Sequence, residues 1–133
     1  MTAYAMTHSE WFRAGIAGAP VTDWRLYDSI YTERLMDTPE ANPVGYTKSS
    51  VLEAANRLHG RLMLIHGELD DNVHPSNSLQ LAARLQALGT PFDLMIYPGN
   101  RHAITNPSQK YHLHRTMLEF WDRHLRKVDP ESP

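Results

Sequence analysis

Two groups in this chain could do acid–base chemistry together. Asp70 opens the run Asp70-Asp71-Asn72-Val73-His74, a few residues after the apolar stretch Leu62-Met63-Leu64-Ile65. His102 follows Arg101 just beyond a second strand-like run, Phe92-Asp93-Leu94-Met95-Ile96-Tyr97. In hydrolytic catalysis an imidazole takes the proton of a nucleophile and later returns it to the leaving group, while a buried carboxylate orients and stabilises the imidazolium. The 32 positions between Asp70 and His102 leave room for one helix and one strand, which brings both residues to the same rim of a parallel sheet. An isolated Asp and His more often cap a turn and decorate a loop, so the flanking residues have to separate the two readings. No Gly-x-Ser-x-Gly turn occurs, and none of the serines from Ser9 to Ser108 sits in a strand–turn–helix elbow. The nucleophile is therefore expected to lie before Met1.

The elements needed to position this pair can be read along the chain. Residues 1–8 have the small and helix-compatible composition of a helix tail. A short strand is expected within 12–20 through Ala14, Ile16 and Ala17, ended by Pro20. Over 24–36, Tyr27, Ile30, Tyr31 and Leu35 follow a 3.6-residue repeat and predict a helix. Pro39, Asn42, Pro43 and Gly45 predict a loop over 37–47, and Ser50 with Glu53 predicts a capping box opening a short helix through Leu58. The run 62–65 reads as a strand covered on both faces. A helix over 76–88 carries Leu81, Leu85 and Leu88 on one face and Gly89 at its C-cap. The strand over 92–97, a loop over 98–107 and a long helix over 109–127 follow, with Leu118, Trp121 and Leu125 expected inward. This alternation predicts three parallel strands with right-handed crossovers. Residues 1–127 then form one partial domain, with a flexible tail at 128–133. The first strand is left with an open edge, so a homo-oligomer through that edge or the terminal helix is expected.

Composition narrows the partners. The 133 residues are 41% hydrophobic and 21% charged, ordinary for a globular domain. A formal net charge of -2 supplies no basic footprint, so nucleic acid is not an expected partner. No stretch approaches 18 consecutive apolar residues, so no membrane contact is expected from this segment. The absence of cysteine excludes disulfides and thiolate metal sites, and leaves cytoplasm and periplasm both open. Eight histidines invite a metal reading through His66, Asp70 and His74, or His112 and His114. No HExxH-type pattern supports it, and no metal is expected. His112, His114 and His124 read as solvated faces of the last helix, whose terminal Arg123, Arg126 and Lys127 complement its dipole.

The words around the two candidate groups carry a resemblance. Ile65-His66-Gly67-Glu68-Leu69-Asp70-Asp71-Asn72-Val73-His74 resembles the acid loop of the prolyl oligopeptidase family of serine peptidases, and Pro98-Gly99-Asn100-Arg101-His102-Ala103-Ile104 is similar to its histidine loop. Ala19-Pro20-Val21-Thr22-Asp23-Trp24, followed by Tyr27-Asp28-Ser29-Ile30-Tyr31, looks like the dipeptidyl peptidase IV branch. The resemblance implies the C-terminal part of an α/β-hydrolase fold. It makes Asp70 the triad acid and His102 the base, with Asp71 bracing the loop. It also implies that Val21, Trp24, Tyr27, Tyr31 and Val73 line the pocket for the residue before the scissile bond, and that Asn72 lies near the substrate carbonyl. An aromatic wall with few polar groups suits a compact side chain such as proline or alanine. Without that resemblance, the same aromatics read as a helix stripe packing on a core. The implied activity is peptide hydrolysis after Pro or Ala with no cofactor, and the chain alone is expected to be inactive because the serine and its oxyanion donor are missing. Ala103 stands where the family commonly has glycine, a small departure. Two other readings stay open: an esterase of the same fold, and a non-catalytic self-associating module.

Overall fold

The computed structural model describes residues 1–126. The expected tail at 128–133, and Lys127 at the helix end, lie outside the described residues. The element order is α1 (Thr2–His8), β1 (Ala14–Gly18), a 3-10 turn (Trp24–Leu26), α2 (Ser29–Met36), α3 (Pro43–Ser49), a second 3-10 turn (Ala55–Arg57), β2 (Arg61–Gly67), α4 (Ser76–Ala87), β3 (Asp93–Tyr97) and α5 (Pro107–Leu125). The three strands form a parallel sheet in the order β1-β2-β3, with Gly18 opposite Ile65 and Gly67 opposite Tyr97.

β2 is buried on both faces because its side chains alternate between two layers. Leu62 and Leu64 join Ala3, Met6, Val51, Leu81 and Leu85, so α1 and α4 cover one face. Met63 and Ile65 join Tyr97, Phe120, Met117 and Trp121, so α5 covers the other. Gly15 lets α1 lie close on β1, since a Cβ there would run into the Met6 sulfur and Thr2. α4 ends in a Schellman motif: Gly89 has φ 66°, Thr90 N–H donates to Leu85 O at 2.9 Å, and Gly89 N–H to Gln86 O at 3.0 Å.

Five expectations need correcting. The helix expected over 24–36 is two pieces, because two aspartates each start a new turn. Asp23 accepts from Arg25 N–H at 2.9 Å and Asp28 from Ile30 N–H at 2.8 Å, with Tyr27 extended between them. Ile30 and Leu35 then face solvent, while Thr32 is buried. The loop expected over 37–47 contains the start of α3. Its Asn42 caps Gly45 N–H at 3.0 Å with Pro43 in the first turn, and buried Tyr46 donates its hydroxyl to Asp37 O at 2.8 Å. Ser50 does accept from Glu53 N–H at 3.3 Å, but only turns and a 3-10 segment follow. On α5, which starts two residues earlier than expected, Leu118 and Leu125 are 65% and 47% exposed, and Phe120 takes the inward place beside Trp121. Leu88 likewise lies exposed beyond the inward stripe of α4.

Candidate active site

Both candidate groups stand at the carboxyl ends of adjacent parallel strands, where connecting loops converge on a crevice. Asp70 belongs to the turn after β2 and His102 to the loop after β3. Gly67 permits their meeting, because a Cβ there would strike the carbonyl oxygens of Arg101 and Asn100. The two loops are then laced through main chain. Glu68 N–H donates to Tyr97 O at 3.1 Å, Leu69 N–H to Asn100 O at 2.8 Å, and Gly99 N–H to the Glu68 carboxylate at 3.1 Å. Gly99 takes φ 71° in the turn that sends the chain across. Asn100 is buried, and its side chain donates to Pro98 O and Gln109, anchoring the histidine loop to α5.

Asp70 is 2% exposed, and each of its oxygens has a separate task. Oδ1 accepts from the N–H groups of Asn72 and Val73, both at 3.0 Å. Oδ2 lies 2.9 Å from His102 Nδ1. Burial pushes this carboxyl up, but the bond from His102 and the two backbone N–H groups outweigh it and hold it below the usual aspartate range. A carboxylate of this kind stays ionised at neutral pH and keeps the proton of its neutral partner on Nδ1. His102 Nε2, with no hydrogen bond among the described residues, is left with its lone pair outward on a side chain that is 49% exposed. The imidazole borders a hollow of about 420 Å³ whose lining includes Gly18, Ala19, Ile65 and Trp121.

The other expected site residues are placed as follows. Asn72 accepts from the Tyr27 hydroxyl at 2.9 Å, joining the aromatic segment to the Asp70 turn. Trp24, Tyr27 and Tyr31 form one cluster, with ring centroids 5.6 to 6.3 Å apart. Val73 is buried and Val21 is half-buried. None of these six residues lines the hollow beside His102, so the aromatic cluster and that hollow are separate features. Asp71 is exposed and paired with Arg101, a clasp between the two loops. His74, exposed, folds back on Ser76 N–H and does not face buried His66 and Asp70. His112 is not simply solvated, because its Nδ1 lies 3.0 Å from the Tyr97 hydroxyl, and His124 packs edge-on against Phe120.

Sequence reasoning missed two buried polar ties beneath the site. Thr22 donates through its N–H to the Asn77 side chain at 3.0 Å and through its hydroxyl to Asn77 O at 2.8 Å. Ser50 donates to Asp23 at 2.6 Å. These fasten residues 20–24, which carry Val21 and Trp24, to α4 and to the turn after α3. The partners are 55 and 27 positions apart, and nothing local in the sequence marks them.

Comparison with known proteins gives the family and the fold. The model of the prolyl oligopeptidase family matches residues 1–128. The chain belongs to the prolyl oligopeptidase family. It is 42% identical over 123 residues to the human protein named dipeptidyl peptidase 8, covering 90% of this chain and 14% of that one. It is 52% identical over 95 residues to a probable dipeptidyl-aminopeptidase B of Grosmannia clavigera, covering 70% and 10%. The crystal structure of Porphyromonas gingivalis dipeptidyl peptidase 4 superposes with a TM-score of 0.87 at 41% identity, covering 92% of this chain and 18% of that chain. The parallel strands with helices on both faces are thus part of an α/β-hydrolase fold. The chain covers between 10% and 18% of the length of these family members.

Proposed function

We propose that this chain supplies the acid–base half of a serine-peptidase active site that cleaves peptides after proline or alanine; the names of its dipeptidyl peptidase relatives support the peptidase part of this reading. The observation that carries the reading is the enclosed Asp70 carboxylate 2.9 Å from His102 Nδ1, at the carboxyl ends of two neighbouring strands. In this reading His102 Nε2 takes the proton of a serine hydroxyl contributed from outside these residues and passes it to the leaving amine. Asp70 holds the imidazole in the required tautomer and stabilises its cation. The cluster of Trp24, Tyr27 and Tyr31, packed partly edge to face, supplies aromatic surface for a prolyl or alanyl side chain, with Asn72 beside it to meet a substrate carbonyl. The chain alone is expected to show no turnover, since the covalent route needs the nucleophile.

A chimera tests this. The segment of Porphyromonas gingivalis dipeptidyl peptidase 4 that aligns with this chain is replaced by the chain itself, and the product is assayed on X-Pro and X-Ala amide reporters and on a matched ester. The chimera is expected to cleave the amides, and Asp70→Asn to reduce its kcat by about 10⁴-fold. A folded chimera that cleaves only the ester, or an Asp70→Asn variant as active as its parent, overturns the reading.

A further inference from the structure

β2 ends on an imidazole that the acid–base pair does not use. Leu62, Leu64 and His66 alternate onto the face covered by α4, and His66 is buried there. Its Nδ1 lies 2.7 Å from the Ser78 hydroxyl of α4, and its Nε2 lies 2.7 Å from the carbonyl oxygen of Val73. A carbonyl oxygen only accepts, so Nε2 carries a proton, and in the neutral ring Nδ1 accepts from Ser78. The same Nε2 is 3.3 Å from Asp70 Oδ2, the oxygen that faces His102 at 2.9 Å. The side chains of His66 and Asp70 are both fully enclosed. One carboxylate oxygen therefore has an imidazole on each side, a fixed one within the fold and one at the surface.

The bonds close a ring. His66 holds the Val73 carbonyl, the Val73 N–H holds Asp70 Oδ1, and the remaining Asp70 oxygen sits between the two imidazoles. Without His66, the Val73 carbonyl would lose its anchor to β2 and α4, and the turn whose Asn72 and Val73 N–H groups hold Asp70 Oδ1 would be less firmly placed. We infer that His66, braced by Ser78, is a positioning residue that keeps Asp70 Oδ2 aimed at His102 Nδ1. The inference rests on the acid–base reading of Asp70 and His102. It also gives a specific reason for an imidazole in the buried part of β2, where a residue serving only to fill volume would carry no polar atoms. Geometry at a reacting group is held by neighbours whose own rotamers are locked, and His66 is locked at both nitrogens.

The test reads the tautomer of His102 by nitrogen NMR of the histidine side chains in the full 133-residue chain at neutral pH. The neutral His102 ring is expected to carry its proton on Nδ1, and to lose that preference in Asp70→Asn. His66→Phe keeps an aromatic ring in the core but removes both hydrogen bonds, and is expected to shift His102 to a mixture rich in the Nε2–H form. His66→Gln, whose amide can still donate to Val73 and accept from Ser78, is expected to restore the Nδ1–H form. If His66→Phe does not fold, Ser78→Ala removes one brace only and is expected to give a measurable Nε2–H population. A His102 signal that changes in Asp70→Asn but stays as in the parent in both Ser78→Ala and any folded His66→Phe overturns the role of His66. A signal that does not respond to Asp70→Asn overturns the acid–base reading itself, and this inference falls with it.

Discussion

Two adjacent aspartates in this chain have opposite surroundings, and the difference is measurable. Asp70 is enclosed, with its oxygens meeting two backbone N–H groups and His102, whereas Asp71 lies at the surface opposite Arg101. Because the Asp70 carboxyl is held below its ordinary range in the fold, the unfolded chain binds the extra proton first as acid is added. Its contribution to stability is thus complete above the ordinary aspartate range, near pH 4, and is lost as pH falls through the lower folded value. Thermal unfolding followed from pH 6 to pH 2.5 is expected to show Tm dropping more steeply in the parent than in Asp70→Asn, the two curves converging in acid. At neutral pH Asp70→Asn is expected to cost about 1–3 kcal/mol, the range for a buried group that loses a charged hydrogen-bond partner. Asp71→Asn, at an exposed pair, is expected to cost under about 1 kcal/mol in the same urea titration and to lose even that in salt.

The elements bring these residues together by close backbone approach. The loop after β3 crosses the end of β2 at Gly67, and the crossing leaves no room for a side chain. Gly67→Ala must separate the strand end from the Asn100 and Arg101 carbonyls, and is expected to destabilise the fold by about 1–3 kcal/mol in urea unfolding. It is also expected to weaken the contact between Asp70 and His102, seen as faster hydrogen exchange of the Leu69 amide that bonds Asn100. Much at this scale was legible beforehand. The apolar run 62–65 announced a strand buried on both faces, and Leu85-x-x-Leu88-Gly89 announced the end of α4, which a Schellman turn completes. α3 was obscured because Pro43 and Gly45 are loop residues by composition, and the helix depends on burying Tyr46 and on the Asn42 cap. The inward face of α5 was misplaced by one step around the helix. Leu118 and Phe120 differ little in hydrophobicity, and only the position of the sheet selects Phe120.

At the scale of the whole molecule, three strands carry helices on both faces, and β1 is paired on one side only among the described residues. A strand with an unpaired edge exposes N–H and C=O groups that seek another strand. The isolated chain is expected to sediment as species heavier than its 15.2 kDa mass, with the heavier fraction growing with concentration. Gly18→Lys is expected to return it toward monomer. The position is exposed, a side chain there meets nothing within the fold, and an edge lysine discourages pairing. A monomer at all concentrations in the parent would show that this edge does not recruit a partner. The order of the strands, the family, and Asp70 and His102 as candidates for an acid–base pair could be read from the amino-acid sequence, because these reside in short runs whose periodicity and residue types are local. That Asp70 and His102 stand 2.9 Å apart, that Asn72 meets Tyr27, and that His66 lies against the same carboxylate are visible in the folded chain alone. The first two contacts join residues 32 and 45 positions apart by packing and loop crossing, and the third depends on how the turn after β2 folds back on the strand.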